Sequence, residues 1–172
     1  IGHFASAVSG GSLYRKSSFL LDSIGQQVFA PDIQIRELPH LHKGLASSAF
    51  DDDGVATVAR NVVENGVVQG YFLGSYSARK LGMRTTGNAG GTHNLIMQNA
   101  APLDFDALLK KMGKGLLVTE LLGHGVNAVT GDYSRGASGY WVENGEIAYP
   151  VEEITIAGNL QEIFQGISAI GN

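Results

Sequence analysis

Residues 115–156, GLLVTELLGHGVNAVTGDYSRGASGYWVENGEIAYPVEEITI, decide the fold. The apolar run Leu116 to Leu122 enters a glycine-rich bend at Gly123-His124-Gly125, and Thr130-Gly131-Asp132 marks a second turn. A run of small residues, Arg135 to Gly139, leads through Tyr140-Trp141-Val142 into Glu143-Asn144-Gly145 and out through Ile147-Ala148-Tyr149. Asn-Gly between apolar, β-branched or aromatic runs signals a hairpin, because a type I′ turn needs φ > 0 at both central residues. The stretch reads as an antiparallel meander with tight turns.

Outward from it, Val63-Glu64-Asn65-Gly66 with Tyr71 echoes Val142-Glu143-Asn144-Gly145 with Tyr149. The echo fits an internal duplication or two turns choosing the same residues; little beyond the turn matches. Val55 to Val63 and Val67 to Leu73 form the arms of this second hairpin. Ile33 to Leu38 alternates apolar and polar residues, the period of a half-buried strand, and stops at Pro39. Helices are expected at the chain start, ended by Gly10-Gly11, and at Tyr76 to Leu81. Asp104 to Met112 has apolar residues at 105, 108, 109 and 112, and Gly113 ends that helix. A last helix runs from an Asn159 cap to Ile170. Ser12 to Leu21 fits a short helix or a tucked loop, and Thr85 to Asn94 is a glycine-rich loop. The class is α+β, mainly antiparallel β-sheet with tight hairpins and a few short helices.

Composition narrows the function. The 172 residues hold 24 Gly but 4 Pro, 44% hydrophobic and 16% charged residues, and a net charge of −4. The 12 Lys and Arg are scattered along the sequence, so nothing predicts nucleic-acid binding. Cysteine is absent, which excludes disulfides, thiolate nucleophiles and Cys-based zinc sites. No segment approaches the roughly 20 apolar residues that span a bilayer.

Several patterns invite chemistry. Ser77-Ala78-Arg79-Lys80 has S-x-x-K spacing but no S-D-N or K-T-G companion, so it reads as an exposed helix. Gly87-Asn88-Ala89-Gly90-Gly91 lacks the P-loop Lys and reads as a turn or close backbone contact. Asp51-Asp52-Asp53-Gly54 has Val62 where a calcium loop needs Glu, so it reads as a solvated turn. Among the histidines, His40 and His42 fit a partly exposed loop. His93 and His124 sit in glycine-rich bends, where a lone imidazole usually bonds backbone. No H-E-x-x-H or H-E-x-x-x-H occurs. In the block 123–139, small residues let another backbone approach, and His124, Asn127, Asp132, Ser134 and Arg135 are candidate peptide or partner contacts.

Residues 118–159, with Phe19-Leu20-Leu21-Asp22-Ser23, Tyr76-Ser77-Ala78-Arg79-Lys80-Leu81-Gly82 and Gly87-Asn88-Ala89-Gly90-Gly91 in order, resemble the TldD/PmbA family on its PmbA (TldE) side. The likeness covers essentially the whole chain. It implies one domain over 1–172, most of the family's C-terminal domain, with parts of the longer protein on both sides and a cytoplasmic location.

In the TldD branch a zinc protease helix carries H-E-x-x-x-H followed by a basic pair. With Arg15-Lys16 on that pair, Gly2 and Ala7 fall on the histidines and His3 on the glutamate. The family's remaining ligand, a cysteine of the C-terminal tail, is not in this chain. The resemblance thus implies no cofactor here and zinc in a TldD-like catalytic subunit. The pair would cleave unfolded or modified peptides, in peptide maturation and antitoxin turnover, with this chain non-catalytic and a homodimer when isolated. Nucleic acid and membrane are not expected partners. The rivals are a non-enzymatic peptide-binding or assembly protein, and an independent hydrolase built around His124, Asp132 and Arg135.

Overall fold

The computed structural model describes residues 1–172, and contacts divide them into two compact units, Ile1–Gln98 and Asn99–Asn172. Each unit contains one antiparallel sheet together with short helices, and loops make up most of the first unit.

The first unit begins with α1 (Gly2–Ala7), which turns Phe4 and Ala7 inward; the Phe4 ring meets Phe29 edge-on at 5.1 Å. Gly10-Gly11 does not stop this helix but opens the next, α2 (Gly10–Tyr14). The cause is Ser9: its backbone is extended and its side chain accepts from the Ser12 N–H at 3.3 Å, a serine cap that outweighs the glycine stop. The sheet has strand order β3-β2-β1-β4, from β1 (Gln34–Leu38), β2 (Arg60–Glu64), β3 (Val67–Val68) and β4 (Asn94–Gln98), with α3 (Ser75–Lys80) between β3 and β4.

Alternation in β1 is real but its inward face is unusual. Ile33, Ile35 and Glu37 are all buried while Arg36 is exposed. A register shift opposite Ile35 and Arg36 inserts Val62 between Asn61 and Val63, so two adjacent valines both enter the core. The hairpin arms are shorter than the sequence suggests. Residues before Arg60 are taken up by the Phe50–Ala56 bridge and by the Thr57 hydroxyl, which donates to the Ser48 carbonyl at 2.6 Å. Strand β4 was not expected at all; it pairs with β1 over Gln34↔Gln98 to Leu38↔Asn94.

The second unit contains α4 (Phe105–Met112), capped by Asp104, which accepts from the Ala107 N–H at 2.8 Å, and ended at Gly113. The expected meander follows as β5 (Gly115–Leu122), β6 (Asp132–Glu143) and β7 (Glu146–Asn159), in sheet order β5-β6-β7. Asn159 caps α5 (Leu160–Gln165), accepting from the Gln161 N–H at 3.0 Å. This helix ends at Gly166 rather than reaching Ile170, whose carbonyl instead accepts from the Leu103 N–H at 3.1 Å. Leu109, Tyr133, Ala137, Val142, Leu160 and Phe164 form the buried apolar set of this unit. No helix is long and apolar enough to cross a membrane.

Candidate functional site

The positions that the resemblance aligns with metal ligands lie on α1. Gly2 and His3 are exposed, and a Cβ at Gly2 would meet nothing within 4 Å. Ala7 is 5% exposed and faces the core. Glycine and alanine offer no ligand atom, and no cluster of three His, Asp or Glu side chains is placed to hold a metal. At these two α1 positions no side chain could ligate a zinc ion.

The polar chemistry of the first unit sits instead around Glu37, which is 1% exposed. Glu37 Oε1 accepts from Asn88 Nδ2 at 2.7 Å and from the His93 N–H at 3.0 Å, and the His93 Nδ1 lies 3.0 Å away. Oε2 accepts from Arg60 Nε at 2.9 Å across the β1–β2 pair. Arg60 Nη2 donates to the Tyr71 carbonyl and to Asn88 Oδ1, and Thr86 Oγ1 also bonds Asn88 Oδ1 at 2.7 Å. Burial pushes the Glu37 carboxyl up. The His93 amide, the Arg60 charge, Asn88 and the imidazole outweigh burial and hold it below the usual carboxylate range.

Two expectations change here. The His93 imidazole pairs with a buried carboxylate instead of backbone. Asp51 is not part of a solvated turn: it is 5% exposed and accepts N–H groups of Asp53, Val55 and Ala89 at 2.9 to 3.0 Å. Burial raises its pKa, but those three amides, aided by His93, hold it below its ordinary value. The loop 86–93 is therefore clamped by two carboxylates, Glu37 and Asp51. Its Asn88 is buried and fully bonded, which accounts for the glycines around it as a packed turn. The readable signal was Glu37 itself, a charged residue in phase with Ile33 and Ile35.

Ser77 is buried at the start of α3 and donates to the Gly74 carbonyl at 3.1 Å, so that helix is not wholly exposed. Lys80 Nζ instead lies over the Tyr76 ring. His40 Nε2 is 3.0 Å from Thr57 Oγ1, and His42 is exposed.

In the second unit, His124, Asn127, Asp132 and Ser134 line one shallow concavity of about 370 Å³ with Val126 and Tyr133. All four are exposed. Asn127 Oδ1 accepts from the Val129 and Thr130 N–H groups, and Asp132 Oδ2 accepts from Thr130 Oγ1 at 2.6 Å. Those two side chains shape the loop, while His124 and Ser134 face outward. Arg135 parts from this group, since successive strand residues point to opposite faces. It is half-buried, its Nη2 donates to the Leu121 carbonyl at 3.4 Å, and its Nε is sealed from solvent without a partner. A hydrolase needing His124, Asp132 and Arg135 together has no support in this arrangement.

The whole chain, residues 1–172, matches the model of the PmbA/TldA metallopeptidase C-terminal domain, and the chain belongs to that family. It is 56% identical over 171 residues to the metalloprotease PmbA of Escherichia coli O157:H7, covering 99% of this chain and 38% of that protein. The structure is similar to a proposed modulator of DNA gyrase from Bacteroides thetaiotaomicron, with TM-score 0.93 and 34% identity over 99% of this chain and 38% of that one. It also resembles TldE from Thermococcus kodakarensis, with TM-score 0.84 and 26% identity over 99% of this chain and 42% of that one. The chain thus spans about two fifths of the length of the relatives it matches.

Proposed function

We propose that this chain is part of a PmbA/TldE-like, non-catalytic subunit of a TldD/TldE-type zinc metalloprotease acting on unfolded or modified peptides. The observation that carries the reading is the pair Gly2 and Ala7 in the aligned metal-ligand positions, one with no side chain and the other packed into the core. Zinc then belongs to a TldD-like partner. The likeness to a TldE supports the same side of the family.

What the chain contributes is surface. The His124–Ser134 concavity offers outward imidazole and hydroxyl groups beside a loop already held by Asn127 and Asp132. The second unit also presents two sheet edges of different character. β7 carries Pro150 and a left-handed Glu153 (φ 55°), both of which discourage strand addition. β5 runs Gly115 to Leu122 with no proline and mostly apolar residues, an edge open to a strand of partner or peptide.

Affinity capture of the full-length protein from its host, followed by mass spectrometry, tests the reading. A TldD-like chain in stoichiometric yield is expected. Capture without any such chain, or peptidase activity with bound zinc from this chain alone, overturns it.

A further inference from the structure

The sheet of the second unit is covered unevenly. Residues paired across neighbouring strands share a face. The face that carries Trp141 and Ala137 is apolar across all three strands: Leu116 and Tyr149 flank Trp141, and Leu121 and Ile154 flank Ala137. It ends in two shorter rows, Arg135 opposite Ile156 and Tyr133 opposite Gly158. Helix α5 covers this last row, since a Cβ at Gly158 would lie 3.5 Å from Ile163 and Tyr133 is buried. Beyond it the face is open. Leu121 and Tyr149 are 38% and 52% exposed, and Leu116, Val118, Val151, Ile154 and Ile156 are only half-buried. The other face mixes Leu117 and Tyr140 with Glu120, Ser134, Ser138 and Thr155. An antiparallel sheet solvated on one side keeps its polar residues there and buries the other, so the uncovered face is the one built for burial.

Arg135 is the one charged residue in the rows from Tyr133 to Trp141. Glu152 and Glu153 fall in the bulge between Val151 and Ile154 and pair with no β6 residue, and Glu143, at the turn, accepts from Trp141 Nε1 at 3.1 Å. Both ion pairs of the structure belong to Glu37 in the first unit, so Arg135 has no carboxylate. Its Nε is sealed without a partner, and its single hydrogen bond, to the Leu121 carbonyl, is long at 3.4 Å. A guanidinium has five donors in a rigid fork that matches a carboxylate. This one is half-buried among apolar side chains with most of its donors idle, and turning it outward gives up only that one weak bond.

We propose that this face docks onto a partner subunit, through an apolar surface of that subunit carrying one carboxylate that pairs with Arg135. Charge complementarity selects the occupant: the lone unpaired cation of an apolar face calls for one acidic group opposite it. A second copy of this chain does not supply it. Docked by the same face it brings an arginine, and residues 99–172 hold nine Asp and Glu against four Lys and Arg, so two copies repel. The proposal deepens the subunit reading and rests on it: it assigns the partner to the Ala137 face of the β5-β6-β7 sheet, by side chains, rather than to the concavity at His124.

The test titrates the full-length protein with the purified TldD-like chain of the same host by biolayer interferometry. Arg135→Gln is expected to weaken binding about thirtyfold, and Tyr149→Ser about tenfold, with the melting temperature of the unbound protein unchanged for Tyr149→Ser because that ring is exposed. Tyr140→Ser, a ring 40% exposed on the opposite face, should leave the affinity intact. Binding insensitive to both Arg135→Gln and Tyr149→Ser, or equally weakened by Tyr140→Ser, overturns this proposal and leaves the subunit reading standing. Wild-type protein that does not bind the TldD-like chain at all overturns the subunit reading and this proposal with it. A lowered melting temperature of unbound Tyr149→Ser would show the face covered within its own polypeptide. Wild-type self-association abolished by Tyr149→Ser would give the face to a second copy. Either result overturns the proposal.

Discussion

Val63-Glu64-Asn65-Gly66 and Val142-Glu143-Asn144-Gly145 turn two hairpins with nearly the same backbone, φ 50° and 76° in the first and 53° and 77° in the second. Their surroundings differ. Gly66 donates to the Ile33 carbonyl at 2.8 Å, and its own carbonyl accepts from Val28 and Phe29 at 3.0 Å. A Cβ there would run into Gln27 and the Phe29 and Ala30 carbonyls. Gly145 donates to the Gly113 carbonyl at 2.8 Å, and its Cβ would meet chiefly the Lys110 Cα at 2.8 Å. One turn is a hub of the first unit's interior; the other rests on the end of α4. Identical local chemistry thus carries different weight, set by what the tertiary fold stacks on it.

The sharpest contrast lies in the interior behind the first turn, where a charged cluster replaces part of the apolar core. Glu37→Leu leaves Arg60 without its carboxylate and should cost about 3–5 kcal/mol, measured by urea unfolding with circular dichroism. Gly66→Val combines left-handed strain with backbone collision and should cost about 3 kcal/mol or more. Gly145→Val should cost about 2 kcal/mol, read selectively through fluorescence of the single tryptophan, Trp141, in the second unit. Equal losses at the two glycines would break the comparison. At the small end, His124→Ala should change stability by less than about 0.5 kcal/mol, because the ring is exposed.

Acid provides an independent probe of the first unit. Glu37 and Asp51 have pKa values held below their ordinary 4.5 and 3.8. Their contribution is therefore complete above those ordinary values and is lost as pH falls through the depressed folded values. The urea midpoint should drop on going from about pH 5 towards pH 3, and Glu37→Gln should flatten that dependence. An acid slope unaffected by Glu37→Gln would remove Glu37 from the account.

Legibility in the sequence followed range. Both Asn-Gly turns, the 104–112 helix with its Gly113 stop, the Asn159 cap and the 115–156 meander are local events, and neighbouring residues announce them. Strand β4 was missed because NLIMQ has little to say until it pairs with β1, dozens of residues upstream. The Glu37 cluster was missed for the same reason: Arg60, Asn88 and His93 lie 23, 51 and 56 residues away. The 123–139 block was read as contact surface; four of its five polar candidates share one concavity, whereas Tyr133 and Ala137 of the same block are buried in the unit's core. Arg135 fell away because strand alternation sends it to the other face.

The central claim is that the metal does not reside on this chain, and zinc content tests it most directly. Full-length protein, purified apart from any partner and dialysed extensively, should contain far less than stoichiometric zinc by elemental analysis, since Gly2 and Ala7 offer no ligand atoms. About one zinc per chain surviving dialysis would contradict the account.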